Sequence, residues 1–217
     1  MILEDFALDG QVALVTGATR GLGQAMAVAL AEAGADVALV GSSSHATETA
    51  AMVEATGRRA LTLVCDLASA TVADLAELVD RVVAEFGRLD ILVNNAGIQR
   101  INPIQDFDPQ AWRTIHRLML EAPFLLIRAV LPGMYERGFG RIINLSSIHG
   151  LRASAYKSAY VAAKHGLEGL SKAAALEGGE HGVTSNCINP AYVNTPLVQK
   201  QIADQAKTHG IDESEVV

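Results

Sequence analysis

One alternation constrains this chain more than any other feature. Six short runs, near residues 11–16, 36–41, 60–65, 90–93, 141–146 and 183–189, are apolar at nearly every position. Between them lie segments with helical spacing, near 21–33, 46–56, 71–86, 108–136 and 158–178. A strand with one face in water alternates polar and apolar residues, whereas a strand apolar throughout is covered on both faces, as in a parallel sheet between helical layers. Parallel neighbours need a crossover, and a helix supplies it. The β-α-β-α order therefore predicts an α/β fold with a doubly wound parallel sheet of the Rossmann type. No linker, repeat or low-complexity stretch interrupts the pattern, so residues 1–217 are expected to form a single domain, with 192–217 as a lid over the ligand cleft.

The first strand is followed by TGATRGLG, residues 16–23. Glycines at Gly17, Gly21 and Gly23 would let the backbone approach a pyrophosphate, whose charge would meet the free N–H groups of the next helix. Glycine is also the ordinary solution for any tight strand-to-helix turn, so this turn alone leaves both readings open. The charge balance narrows the partner. With 17 basic and 24 acidic residues and a net charge of −7, a nucleic-acid backbone or an anionic membrane is disfavoured and a small molecule fits better. The opening MILEDF is acidic where a secretion signal would be basic, and no apolar run of spanning length is free of charge. A soluble, cytoplasmic protein is expected. Cys65 and Cys187 fall in strand-like runs far apart and are expected to be reduced, buried packing residues; no metal site is predicted.

Chemistry concentrates in one helix. Tyr160 and Lys164 are four residues apart, so they share a face with their side-chain bases about 6 Å apart. A free phenol titrates near pH 10, and lowering that by two or three pH units takes about 3–4 kcal/mol of extra stabilisation of the phenolate. A nearby ammonium in a partly desolvated site can supply much of this, which makes Tyr160 a candidate acid/base. Ser147, at the end of the run IINLSS, is placed to hydrogen-bond the same substrate oxygen; its neighbour Ser146 is the competing candidate, and strand alternation sends one of the two away from the cleft. Tyr156 has no lysine four residues on and is expected to pack or gate.

The glycine spacing G-x-x-x-G-x-G, Asp66, the stretch Asn94-Asn95-Ala96-Gly97, Ser147 and Tyr160-x-x-x-Lys164 together resemble the short-chain dehydrogenase/reductase family, from Asp9 to about residue 200. That resemblance implies catalysis by Ser147, Tyr160 and Lys164, with Lys164 also holding the nicotinamide ribose. It implies a cofactor held by Gly17, Thr19, Arg20, Gly21, Leu22 and Gly23, by Asp66 and Leu67 at the adenine, by Asn94, Ala96 and Gly97 beneath the nicotinamide, and by Pro190, Val193 and Thr195. Family members usually assemble as homo-tetramers and usually run on through one more helix and a last strand, so this chain is expected to lack that strand and to be less stable or less regularly tetrameric than a longer relative.

Three departures matter. Met119 aligns where most members of the family carry an asparagine that shapes a helix kink and holds a proton-relaying water; a thioether cannot make that hydrogen bond, leaving the backbone carbonyl at 119 or His116 to compensate. The second strand ends VGSSS, with neither the acid that binds a ribose hydroxyl nor the arginine that binds a 2′-phosphate; the lack of a basic cluster there points to NAD. Residues 149–166, with Gln99 and the segment 196–202, resemble the branch of the family that oxidises short 3-hydroxy acids. That likeness implies a carboxylate gripped by Gln99, His149, Lys157 and Gln201, with Tyr192 on the apolar wall where tryptophan is commoner. The expected activity is NAD-dependent interconversion of a short 3-hydroxy acid and its 3-oxo acid. Another alcohol or ketone, or nucleotide binding without turnover, are the alternatives.

Overall fold

In a computed structural model, described for residues 6–193 together with Ile202 and Asp212, the apolar runs form β1 (Val12–Thr16), β2 (Asp36–Gly41), β3 (Ala60–Val64), β4 (Ile91–Asn94), β5 (Gly140–Leu145) and β6 (Val183–Ile188). They make one sheet in the order β3-β2-β1-β4-β5-β6, every neighbouring pair parallel. The crossovers carry α1 (Gly21–Glu32), α2 (Thr47–Glu54), α3 (Val72–Phe86), α4 (Pro109–His116), α5 (Ala122–Arg137) and α6 (Ser158–Gly178). This is the doubly wound Rossmann arrangement that the alternation predicts.

Successive residues of the central strands feed opposite cores. Leu14, Val40, Leu92 and Ile142 pack against Leu75, Leu78 and Val82 of α3 and Leu126 and Val130 of α5. Ala13, Val15, Leu39 and Val93 pack against Ala27 and Ala31 of α1 and Ala50 and Val53 of α2. Each such Val or Leu contributes about 1.5–3 kcal/mol by leaving water, which is why both faces had to be apolar. The edges differ. Among the described residues β3 and β6 have one neighbour each, and only Leu63 of β3 and Val183 and Ser185 of β6 are buried.

Local chemistry sets the helix bounds. Thr71 and Asp74 form a reciprocal capping box at the start of α3, which ends at Gly87 in the left-handed conformation. Asp108 caps α4 ahead of Pro109. The helix predicted over 108–136 is interrupted by one π-turn, Arg117–Glu121. The stretch Pro109–Arg137 is long and apolar enough to cross a membrane by composition alone, but Ile115, Met119, Leu126, Ile127, Val130 and Met134 are buried against the sheet and α6, which makes it a core helix. Cys65 and Cys187 are free and half-buried, less enclosed than expected, because each lies on or just beyond an edge strand.

Candidate active site

The strand order reverses between β1 and β4, and such a switch point opens a crevice at the carboxyl ends of the strands. There Gly17 and Gly21 adopt φ of +64° and +59°. The Thr16 hydroxyl donates to the Val93 carbonyl (3.2 Å) and accepts from the backbone N–H groups of Asn95 (2.9 Å) and Ala96 (3.1 Å). The Asn95 amide donates to the carbonyls of Thr16 (2.8 Å) and Gly17 (3.2 Å), clipping the turn to the segment after β4. No side chain fits inside: a Cβ on Gly23 would lie 2.2 Å from the Gly17 carbonyl oxygen. Arg20 provides no side-chain cap for α1 and its first turn holds no acid, so the first N–H groups of that helix remain free for an anion.

Gly17, Thr19, Arg20, Gly21, Leu22, Gly23, Asp66, Leu67, Ala96 and Gly97 line one cleft of about 360 Å³. Asp66 stabilises its own turn, its carboxylate accepting from the Ala68 N–H (3.1 Å) and the Ser69 hydroxyl (2.8 Å). At the end of β2, a Cβ on Gly41 would lie 2.1 Å from the Ser44 carbonyl oxygen, so this loop admits neither an acid nor a base at that point; Ser42 faces the cleft instead. One assignment needs correction. Asn94 turns its side chain into the sheet and donates to Asn144 (2.9 Å), the start of a buried chain through Ser185 to Ser171. Asn95, passed over in the sequence, lines the cleft. Strand alternation was the signal available, since adjacent residues leaving β4 face opposite ways.

Beyond Leu22 and Gly97 a second cavity, about 130 Å³, is lined by Gln99, Ser147, His149, Lys157, Tyr160, Lys164, Pro190, Tyr192 and Val193. Thr195 and Gln201 lie outside the described residues. Ser147 follows β5, and its hydroxyl accepts from the His149 N–H (3.2 Å) as the cap of a short turn, Ile148–Gly150. Its carbonyl accepts from the Asn189 amide (2.9 Å), which also donates to the buried Glu168 of α6 (2.6 Å). Tyr156, left-handed with φ of +66°, turns the chain into α6, a conformation that costs a bulky residue stability. Tyr160 packs against Ile115, Met119, Ala159 and Ala163, one helical turn from Lys164.

The electrostatics depart from expectation. Burial pushes the Lys164 ammonium down to about 8, opposed by the charges of Cys187 and Glu168. It donates to the Leu145 carbonyl and stands 5.7 Å from the centre of the Tyr160 ring. Burial raises the Tyr160 phenol, opposed by a hydrogen bond with Ser147. The protein alone therefore does not lower Tyr160, because the lysine is spent on a carbonyl and both groups are desolvated. Met119 occupies the π-turn, buried beside Gly97, so the helix irregularity forms without an asparagine. His116 does not compensate: its ring bonds the Trp112 carbonyl (2.9 Å), stacks on Trp112 and lies outside the cavity.

At the far end, Lys157 is 4% exposed and burial lowers its ammonium; among the described residues it has no acidic partner. The Gln99 side-chain N–H₂ is buried with no acceptor among the described residues. A buried cation without an acidic partner and a donor without an acceptor, lining one small cavity, are costly unless an anion joins them. His149 differs from its expected part. Its Nδ1 faces the Ser147 hydroxyl (3.4 Å) and its Nε2 the Ser154 hydroxyl (2.8 Å), so neither nitrogen is open to a carboxylate.

A doubly wound sheet with a glycine turn at its switch point, and a serine, a tyrosine and a lysine converging past its strand ends, defines a dinucleotide-binding protein with a reaction chamber. The chain belongs to the short chain dehydrogenase family, whose sequence model matches residues 11–206. It is 46% identical over 208 residues to a D-beta-hydroxybutyrate dehydrogenase of Rhizobium meliloti (strain 1021), covering 95% of this chain and 81% of that one. It is 45% identical over 205 residues to the enzyme of that name from Cupriavidus necator, covering 94% and 79%. The structure of an NAD+-bound xylitol dehydrogenase superposes with a TM-score of 0.88 at 32% identity, covering 92% and 77%. The protein is thus an oxidoreductase of a family that uses nicotinamide cofactors on small molecules.

Proposed function

We propose that this protein is an NAD-dependent dehydrogenase interconverting D-3-hydroxybutyrate, or a similarly short 3-hydroxy acid, and the 3-oxo acid. The observation that carries the reading is the buried Lys157, which has no acidic partner among the described residues, together with the Gln99 amide, which finds no acceptor among them, in the same cavity as Ser147 and Tyr160. A carboxylate between Lys157 and Gln99 satisfies both, and a cavity of about 130 Å³ leaves room for only a few carbons between that anion and the reacting centre. The names of the relatives at 46% and 45% identity support the same substrate class.

The glycine cradle and the uncapped start of α1 fit a pyrophosphate, and Ser42 lines the same cleft, where among the lining residues Arg20 is the one basic side chain and no basic cluster stands to select a 2′-phosphate, which favours NAD. When bound, the nicotinamide supplies the hydride acceptor and a positive charge. Tyr160, as phenolate, takes the hydroxyl proton of the substrate; Ser147 donates a hydrogen bond to the same oxygen and fixes its position. Lys164 lowers the cost of the phenolate by its charge, but at 5.7 Å from the ring and tied to Leu145 it is not sufficient alone.

Initial rates of nicotinamide reduction with D-3-hydroxybutyrate test this, with NAD and NADP offered separately and the Tyr160→Phe variant alongside. The expected result is NAD-linked turnover, cut about a thousandfold or more in the variant, with NADH binding retained. Equal rates with NADP overturn the cofactor assignment. NADH binding without turnover of this substrate overturns the substrate assignment.

A further inference from the structure

The cavity past the strand ends takes its two unsatisfied groups from loops that only tertiary structure brings together. Gln99 follows β4 and Lys157 precedes α6, yet both line the cavity that holds Ser147 and Tyr160. A lysine does not stay enclosed of its own accord, because its long side chain gains by swinging the ammonium out to water. Two backbone hydrogen bonds bracket Lys157. On its C-terminal side, the Lys157 carbonyl accepts from the Val161 N–H (2.9 Å) at the start of α6. On its N-terminal side, the Tyr156 carbonyl accepts from the Asn102 N–H (2.9 Å), on the loop that carries Gln99. The Asn102 side chain donates in turn to the Asp106 carbonyl (2.9 Å), which fixes that loop. Between the two bonds lies Tyr156, with φ of +66°, the one non-glycine in the left-handed region among the described residues. Such strain in a bulky residue beside a ligand site persists only where the surroundings enforce it.

We propose that Tyr156 is a positioning residue for the anion site: its left-handed backbone, tied to Asn102, keeps Lys157 turned into the cavity and joins its loop to that of Gln99. The role lies in the backbone. At an ordinary negative φ the same residue would send its carbonyl in another direction, lose the bond to Asn102 and let the two loops part, which opens a route to water for the ammonium. The side chain at 156 sets how readily this happens. Asparagine and glycine enter the left-handed region with little strain, a bulky aromatic with more, and a β-branched residue with the most. This rests on the dehydrogenase reading above, which puts a carboxylate between Lys157 and Gln99, and adds to it the residue that holds the site together.

Acylation of Lys157 by acetic anhydride in the NAD-loaded protein, followed by peptide mass spectrometry, reads the placement directly, with butyrate as the carboxylate probe. In the wild type Lys157 should label slowly, and butyrate should slow it further. In Tyr156→Val we expect labelling about tenfold or more faster, with the protection by butyrate lost. In the same variant KM for D-3-hydroxybutyrate should rise about tenfold or more while kcat and NADH binding change less than about threefold, the mark of lost substrate binding. Tyr156→Asn and Tyr156→Gly, which remove the ring but accept the left-handed backbone, should restore slow, butyrate-protected labelling and a low KM. Should valine prevent folding, alanine against glycine makes the same comparison through a single methyl group, and equal labelling of those two overturns the proposal. A valine variant that labels and binds like the wild type makes the strain incidental to the site, and asparagine and glycine variants as impaired as valine assign the role to the ring; either result overturns the proposal. Failure of butyrate to protect Lys157 in the wild type sinks the carboxylate reading instead, while the labelling rates across the series still decide the positioning.

Discussion

The two halves of this molecule build their sites from different materials. From β1 to β3 the cleft is made of backbone: glycines whose missing side chains permit close approach, unpaired N–H groups at the start of α1, and a helix face of alanines that lets α1 lie tightly on the sheet. From β4 to β6 it is lined by buried polar side chains, with Lys157, Lys164, Ser146 and Ser147 all at 6% exposure or less, backed by a buried polar chain from Asn94 through Asn144 and Ser185 to Ser171. Geometry suffices to bind a dinucleotide that many proteins share. Proton transfer needs groups whose charge is costly, because only desolvated charges and dipoles act strongly on a reacting atom. The first half should therefore fail by steric insult and the second by changes in charge.

The largest effect is expected from insult to the backbone half. A valine at 23 would place its Cβ 2.2 Å from the Gly17 carbonyl oxygen, and neither backbone segment can yield without moving the turn off Asn95. Gly23→Val should abolish measurable NADH binding and destabilise the fold by about 1–3 kcal/mol, as overpacking usually does. Fluorescence titration with NADH and thermal denaturation read the two effects. Retention of near wild-type binding would mean that the glycine turn is not the cofactor cradle.

Lys164→Met probes the other half, where function and stability should part. Loss of the ammonium should lower kcat about a hundredfold or more. Stability should move the other way. The unfolded chain holds the lysine proton up to its ordinary value of 10.5 while the folded protein releases it near 8, so folding is penalised in full below pH 8 and the penalty fades as pH rises from 8 to 10.5. At neutral pH that penalty is on the order of 3 kcal/mol, reduced by the hydrogen bond to Leu145 that methionine cannot make. The variant should thus be equally or more stable at pH 7, with its advantage gone above pH 10.5. Urea denaturation of both proteins at the two pH values decides it; an equal loss at both would mean the buried charge costs nothing.

The same division marks what could be read in the sequence. Strand positions were legible almost to the residue, because burial on both faces writes itself into consecutive apolar positions and glycine marks the turns. Ser147, Tyr160 and Lys164 were legible because i, i+4 spacing on a helix and the end of a strand are local facts. Strand order is not local, so the exposure of β3 and β6 and the half-burial of the cysteines were not. Which of Asn94 and Asn95 faced the cleft depended on one residue of register. The partners of His149 and Lys164 depended on tertiary placement: a carbonyl 19 residues away took the lysine, and Ser154, on a loop, took the second imidazole nitrogen.

The smallest effect concerns Met119, where the halves meet: its sulfur and methyl group would touch a Cβ placed on Gly97, at 3.7 and 3.6 Å. Because the π-turn forms with methionine in place, an asparagine there is not needed to shape the helix. Met119→Asn replaces a buried thioether by a shorter amide, which should cost about 1–3 kcal/mol of stability through lost packing and an imperfectly paired polar group. Turnover should be retained or raised by no more than about threefold, since the π-turn and the backbone carbonyl at 119 are present in either case. Initial rates and thermal denaturation of the variant read the two effects, and a large fall in turnover with the fold intact would mean that the thioether itself shapes the floor beside Gly97.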